Sequence, residues 1–195
     1  MEREEILNIL SDSGALLSGH FVLSSGLHSA GYLQCAQVQQ YPDRLETLSR
    51  GLAEKWRTSG VTAVVGPAVG AIVVADERAR QLGARGLFME RSAAGTFEFR
   101  REFKVDGADR VLVAEDVVTT GGSAKEILEL LKPTHAQIVG VTSLVCRNKQ
   151  VGFGVDYRYL IDFEIPAFEP SRCPLCRKGS VATKPGTRPD RKGPS

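Results

Sequence analysis

Residues 110–123, RVLVAEDVVTTGGS, decide the fold and the kind of site that this chain carries. An apolar run ends in two adjacent carboxylates, Glu115 and Asp116, and a turn rich in hydroxyls and glycine then leads into a helical pattern. A helix start leaves backbone N–H groups unpaired and carries partial positive charge, so it favours an anion. Glycine lets the backbone approach a ligand closely. The segment predicts a phosphomonoester site at the carboxyl end of a strand, where open α/β sheets bind ligands.

The two carboxylates narrow the kind of ligand. A nucleoside triphosphatase would carry the pattern GxxxxGK[ST], which does not occur here. A dinucleotide site would place its glycines first and a single acid about 20 residues later. Two acids directly before the turn instead face the group attached to the phosphate, and a phosphorylated sugar with vicinal hydroxyls fits them. The alternative is a capping acid in an ordinary strand–turn–helix unit.

The rest of the chain predicts an α/β fold. Unbroken apolar runs bounded by glycine or charge are typical of strands buried on both faces; they lie at 61–65, 84–89, 111–114, 137–145 and 157–161. Apolar residues at helical spacing predict helices at 2–13, 43–58, 70–82 and 122–132. The alternation of the two predicts a doubly wound, mostly parallel sheet flanked by helices.

Composition excludes several classes of protein. The 195 residues are 42% hydrophobic and 25% charged, which is typical of globular domains. There is no run of about 18 apolar residues, so no membrane partner is expected. The acidic, amphipathic start does not suit a signal or transit peptide, and four cysteines are too few for a disulfide scaffold. We therefore expect a protein of the reducing cytoplasm.

The net charge of +2 hides two unlike parts. Residues 177–195 hold six basic residues and one acid, a charge of +5, which leaves 19 basic and 22 acidic residues, a charge of −3, in 1–176. Five of the nine prolines fall in 170–195. We expect a compact domain over 1–170 and a basic, Pro/Gly-rich, flexible tail over 171–195. A body of negative charge does not suit a nucleic-acid partner.

Residues 111–123 resemble the phosphoribosyl-pyrophosphate (PRPP) signature of the type I phosphoribosyltransferases. The resemblance implies the fold of that family, with Glu115 and Asp116 holding the ribose hydroxyls. It also implies that the residues which follow wrap the 5-phosphate, namely Val117, Val118, Thr119, Thr120, Gly121, Gly122 and Ser123.

Other segments are similar to the orotate phosphoribosyltransferases in particular. Residues 19–32, GHFVLSSGLHSAGY, resemble a pattern of that family that forms a hood over the base, here about residues 1–40. The resemblance implies that Ser25, Gly26, Thr119 and Arg147 bind orotate. It implies a pyrophosphate-binding loop at Ala68, Val69 and Gly70, and a pyrophosphate contact from Arg91. A planar guanidinium at Arg147 suits a planar carboxylate, because the two can form parallel charge-assisted hydrogen bonds.

The chain departs from the pattern of well-studied members at three places. It has Ser24 where they have Lys, and Val69-Gly70 where they have Tyr-Lys. Their mobile catalytic loop carries Lys and His, whereas residues 92–108 contain no His and place their basic residues differently, at Arg100, Arg101 and Lys104. We hypothesise that these three stabilise the leaving group. The alternation of Phe97, Phe99 and Phe103 with polar residues also predicts a β-hairpin, which is compatible with a mobile lid.

The resemblance implies transfer of a phosphoribosyl group from PRPP to orotate, with Mg²⁺ bound through PRPP oxygens rather than by a dedicated set of protein ligands. It also implies a homodimer. Two alternatives stay open. One is a non-catalytic PRPP-binding regulator on the same fold, and the other is a phosphoribosyltransferase for another base.

Cys173-Pro-Leu-Cys176 has half of a zinc-ribbon spacing. Cys35 and Cys146 are not arranged to complete it, so a zinc site would need a second pair from a dimer partner or histidines from elsewhere. Simple packing and a redox pair are the alternatives.

Overall fold

The computed structural model describes residues 1–23 and 25–185. Its strands are β1 (Leu16–Val22), β2 (His28–Leu33), β3 (Ala63–Pro67), β4 (Arg85–Arg91), β5 (Phe97–Phe99), β6 (Arg110–Val118), β7 (Gln137–Cys146), β8 (Tyr157–Asp162) and β9 (Ala167–Phe168). Its α-helices are α1 (Arg3–Asp12), α2 (Ala36–Gln39), α3 (Pro42–Ala53), α4 (Ile72–Leu82), α5 (Gly122–Leu131) and α6 (Pro174–Arg177). Short 3₁₀ turns cover Glu54–Trp56, Lys132–Thr134 and Pro170–Arg172.

A central sheet organises the described residues, with strand order β5-β4-β3-β6-β7-β8. All neighbouring pairs are parallel except β4 and β5, which are antiparallel. The predicted doubly wound, mostly parallel sheet is therefore confirmed. Each predicted strand overlaps one of β3, β4, β6, β7 and β8, and the four predicted helices correspond to α1, α3, α4 and α5.

The unbroken apolar runs follow from burial on both faces of this sheet. Val65 and Val113 pack toward Ile127 and the other apolar residues of α5. Their neighbours Val64 and Leu112 point to the opposite face, where Trp56 and the alanines of α4 cover them. Because helices cover both faces, neither set of alternating positions can be polar. Because these strands are parallel, their carboxyl ends lie at one edge of the sheet.

A smaller antiparallel sheet, β1-β2-β9, forms the hood together with α1. The domain end expected near residue 170 stays a prediction, and the described residues 171–185 do not lead away from the hood. The chain instead continues along the hood: Cys173 is buried, and the Thr183 N–H donates to the His20 carbonyl (2.9 Å). In return the Val22 N–H donates to the Thr183 carbonyl (2.8 Å). Residues 186–195, which carry part of the predicted basic tail, lie outside the described residues.

Within residues 1–23 and 25–185, none of the helices has the length and apolar character needed to cross a bilayer.

Candidate active site

A cavity of about 470 Å³ lies at the carboxyl ends of β4 and β6. It collects the whole set of residues predicted to bind PRPP and adds Glu126 of α5. The lining is Arg91, Glu115, Asp116, Val117, Val118, Thr119, Thr120, Gly121, Gly122, Ser123 and Glu126. Parallel strands bring their carboxyl ends to one edge, which is why residues 91 and 115 meet there.

The turn between β6 and α5 has the backbone of an anion cradle. Gly121 stands at the N-cap of α5 in the left-handed region, with φ 73°. A Cβ at this position would lie 2.8 Å from side-chain atoms of both Phe153 and Val151, so only glycine fits. Among the described residues no side chain caps the first turn of α5. The helix therefore directs its unsatisfied N–H groups and its partial positive charge into the cavity.

The carboxylates of the cavity lie above a buried guanidinium that the sequence analysis did not single out. Arg78 of α4 is fully buried and donates from Nη1 to the Glu115 carbonyl (3.3 Å). Its Nε and Nη2 have no hydrogen-bond partner among the described residues. Burial lowers the pKa of Arg78 to about 9, while the charges of Asp116 and other neighbours oppose that change. Arg78 thus places a positive charge directly beneath two acids.

The two acids differ in their surroundings. Burial, and then the charge of Asp116, raise the pKa of Glu115 to about 8, against the lowering effect of Arg78. Asp116 is half-buried, and its Oδ1 accepts the N–H of Val117 (2.7 Å). At neutral pH the raised pKa of Glu115 therefore favours its protonated form.

The loop after β3 faces these acids. A Cβ on Gly70 would lie 3.5 Å from Asp116 Oδ2, so the loop and the acid are in contact distance. The Gly70 carbonyl accepts a hydrogen bond from Gln39 Nε2 (2.9 Å), and the Ala68–Val69 peptide is cis. Val69 is exposed. The predicted pyrophosphate loop thus borders the cavity next to Asp116.

Arg91 lies in the wall of the cavity. Its Nη2 is 3.2 Å from Glu126 Oε2, and its guanidinium stacks on the Phe97 ring with 3.9 Å to the centroid. Glu126 also accepts the Phe97 N–H (2.9 Å). The α5 carboxylate thus orients Arg91 beside the cradle. Nothing in the sequence pattern singles out Glu126, because a polar residue one turn into a helix is ordinarily solvated.

Arg147 lines a separate cavity of about 600 Å³. The rest of this lining is Asn148, Lys149, Gln150, Glu164, Ile165 and Pro166. The two cavities are joined through the backbone, because the Arg147 N–H donates to the Val118 carbonyl (2.8 Å). The hood borders the second cavity, since Ser29 Oγ donates to the Pro166 carbonyl (2.9 Å).

Ser25 and Gly26 occupy the exposed turn between β1 and β2, and neither belongs to the lining of the two cavities. Gly26 has φ 83°, and its N–H donates to the Leu23 carbonyl (2.9 Å). Ser24 lies outside the described residues. Cys173 and Cys176 lie beside the hood, with His20 and His28.

The predicted hairpin is present in part: β5 pairs with β4, with Phe97 opposite Arg91 and Phe99 opposite Met89, whereas Phe103 lies beyond the end of β5. After β5 the chain runs away from the cavity. The Lys104 carbonyl accepts a hydrogen bond from Arg85, which lies at the amino end of β4, opposite to the cavity.

Within one chain the basic residues of this hairpin do not reach either cavity, so leaving-group stabilisation by them stays a prediction. Arg100 pairs with Glu98 (3.4 Å) and Arg101 with Glu90 (3.2 Å). Neither they nor Lys104 belongs to the lining of the two cavities.

The fold and the cavity define the class of protein. The family model for the phosphoribosyl transferase domain matches residues 36–167. An orotate phosphoribosyltransferase of Caldicellulosiruptor saccharolyticus is 46% identical over 189 residues, which cover 96% of this chain and 98% of that protein. One of Chlorobaculum parvum is 44% identical over 194 residues, covering 99% of this chain and all of that protein.

A solved structure has the same fold. The crystal structure of orotate phosphoribosyltransferase from Aeropyrum pernix superposes with a TM-score of 0.70 at 24% identity, over 81% of this chain and 93% of that one. The chain belongs to the orotate phosphoribosyltransferase family.

Proposed function

We propose that this chain transfers the 5-phosphoribosyl group of PRPP to orotate and releases pyrophosphate and orotidine 5′-monophosphate, a step of pyrimidine biosynthesis. The observation that carries the proposal is the single cavity that brings Arg91, the acid pair and the glycine cradle together, in a chain similar over nearly its whole length to orotate phosphoribosyltransferases. In the reaction the C1–O bond to pyrophosphate breaks and pyrophosphate keeps the electron pair. Orotate N1 bonds to C1 and gives up its proton.

The cradle would bind the 5-phosphate. The N–H groups at the start of α5 and the hydroxyls of Thr119, Thr120 and Ser123 are donors around one cavity. They bind an anion without a basic surface, which is consistent with the acidic composition of residues 1–176.

The acid pair would hold the ribose. Carboxylates accept hydrogen bonds from the two ribose hydroxyls, and their negative charge stabilises the positive charge that grows on the ribose ring as the C1–O bond breaks. Arg78 positions Glu115 from below through the Glu115 carbonyl.

The leaving group would lie between Arg91 and the loop of Ala68, Val69 and Gly70. Arg91 is already held at the cavity wall by Glu126, so its charge is in place before PRPP arrives. Charge on the pyrophosphate grows as the bond breaks, and a fixed guanidinium stabilises it more in the transition state than in the ground state.

Mg²⁺ fits this cavity, because its lining offers oxygen atoms and contains neither thiol nor imidazole. The PRPP diphosphate and ribose oxygens would hold the ion. The hydroxyls and carboxylates of the lining would form hydrogen bonds with the waters bound to it, the carboxylates as acceptors. When bound, it neutralises diphosphate charge. We include a homodimer and the cytoplasm in the proposal on the ground of family resemblance and composition.

Orotate would bind at the second cavity, with its carboxylate on the Arg147 guanidinium. Thr119 lines the first cavity and directly follows Val118, whose carbonyl accepts the N–H of Arg147 from the second cavity. Ser25 and Gly26 could reach the base only from the exposed tip of the hood.

The experiment is absorbance-monitored consumption of orotate with PRPP and Mg²⁺, beside adenine, guanine, hypoxanthine and uracil. We expect turnover with orotate and with none of the other four bases. Turnover with another base only would show a phosphoribosyltransferase of different specificity. PRPP binding without turnover of any base would show a non-catalytic regulator.

A further inference from the structure

Four side chains with metal-ligand chemistry meet beside the hood. They are His20 of β1, His28 of β2, and Cys173 and Cys176 at the short helix α6. One ligand atom of each lies within 4.8 Å of all the others. Neither cavity includes any of them in its lining, so the proposed PRPP and orotate contacts leave this cluster unexplained.

The distances match the edges of a tetrahedron around one metal ion. His20 Nε2 lies 3.0 Å from His28 Nδ1, 3.4 Å from Cys173 Sγ and 3.8 Å from Cys176 Sγ. Cys176 Sγ lies 3.2 Å from His28 Nδ1. Tetrahedral zinc with Zn–N of about 2.0 Å and Zn–S of about 2.3 Å requires ligand atoms roughly 3.3–3.8 Å apart. These four distances depart from that range by at most a few tenths of an ångström, and the two remaining ligand pairs lie within 4.8 Å.

A contact outside the ligand set prepares His20 for this role. Its Nδ1 lies 3.0 Å from the Ser180 carbonyl oxygen. A carbonyl only accepts, so Nδ1 carries the proton and Nε2 presents its lone pair to the other three ligands. Metal-ligating histidines ordinarily have such a partner, which fixes the tautomer and the ring orientation.

We propose that His20, His28, Cys173 and Cys176 bind one structural Zn²⁺. Two thiolates and two imidazoles are the ligand set that selects zinc among the common divalent ions. Four protein ligands leave no open position, which is the mark of a structural site. Cys173 and His20 are buried, whereas Cys176 and His28 are half-buried, so a metal there would be partly shielded from solvent. A CxxC redox pair would not account for the two histidines.

The zinc would tie the hood to the C-terminal segment. The four ligands come from β1, β2 and the C-terminal segment. β1 and β2 pair with each other directly, whereas the C-terminal segment otherwise meets them through the Thr183 hydrogen bonds, the His20–Ser180 contact and the short β2–β9 ladder, with His28 opposite Phe168. The same ladder leads to Pro166 in the wall of the Arg147 cavity. Zinc would thereby fix the hood against that wall, although the site itself does not rest on the proposed transferase function.

The first test is the metal content of the full-length purified chain. We expect one zinc per chain in the wild type, none in Cys173→Ser and Cys176→Ser, and one in the control Cys35→Ala, whose thiol is buried in the core. Chelation should lower the melting temperature of the wild type and of the control, but not of the two serine variants. Unchanged zinc content in both serine variants would overturn the proposal.

A cobalt titration keeps the test decisive if the serine variants fail to fold. The metal-free wild-type chain should take up one Co²⁺ with the thiolate charge-transfer absorption and the intense visible bands of a tetrahedral site. A folded chain that binds neither zinc nor cobalt would refute the site, as would weak octahedral bands without charge transfer. PRPP binding measured on the same samples separates a failure here from a failure of the proposed function.

Discussion

Glu115→Gln should remove a pH dependence of stability that the buried carboxylic acid creates. The pKa of Glu115 is raised from 4.5 to about 8, chiefly by burial. The native state therefore holds the proton more tightly than the unfolded chain does. The stabilisation from this group is complete below pH 4.5 and is lost as the pH rises through 8. At about 1.4 kcal/mol for each pKa unit, the whole change is at most about 5 kcal/mol.

The assay is denaturant unfolding of the ligand-free chain between pH 5 and 9, comparing wild type with Glu115→Gln. A neutral amide keeps the shape of the protonated acid, so we expect the two to have similar free energies of unfolding at pH 5. The wild type should lose several kcal/mol relative to the variant by pH 9. Glu129→Gln, at an exposed glutamate of α5, is the matched control and should follow the wild type. Parallel curves for wild type and Glu115→Gln would refute the perturbed carboxyl.

Three further perturbations test other parts of the molecule. Gly121→Ala should weaken PRPP binding at least tenfold, measured by calorimetry, because the new Cβ meets two side chains at 2.8 Å. Gly83→Ala has the same left-handed backbone and open space around it, so it should lose about 1–2 kcal/mol of stability but keep its PRPP affinity. Arg147→Ala should raise the KM for orotate roughly 10- to 100-fold without changing the KM for PRPP, and Arg147→Lys should not restore it; equal effects on both substrates would contradict the assignment. Asp109→Asn should cost about 1–3 kcal/mol in thermal or denaturant unfolding, because a buried acceptor of hydrogen bonds from Arg85 (2.7 Å) is altered. Burial alone would raise the pKa of Asp109, but those hydrogen bonds hold it below 3.8, so the difference should shrink as the pH falls below that value.

The central sheet was predictable because its strands are buried on both faces, which leaves apolar runs with clear boundaries. The cradle was predictable because its glycines, hydroxyls and acids are contiguous in sequence. β1 gave no comparable signal, since only His20 of its seven residues is buried and most residues of the small sheet are half-buried or exposed. The hood was expected only through family resemblance.

Two features of the molecule could be recognised only from the three-dimensional structure. Arg78 has the spacing of a residue on the buried face of α4, beside Val74 and Ala75, but a charged residue is ordinarily assigned to the surface. His20 and Cys173 lie 153 residues apart in sequence, so no local spacing could join them. β6 extends through the acid pair, which brings Glu115 to Arg78. The chain after β9 turns back onto the hood, which brings Cys173 to His20.

The most direct measurement is product stoichiometry with purified chain, PRPP, orotate and Mg²⁺. We predict equal amounts of orotidine 5′-monophosphate and pyrophosphate, formed in step with orotate consumed, and a loss of at least tenfold in kcat when Asp116 is replaced by Asn. Pyrophosphate release without orotidine 5′-monophosphate, or full activity of that variant, would contradict the proposed transfer at the acid pair.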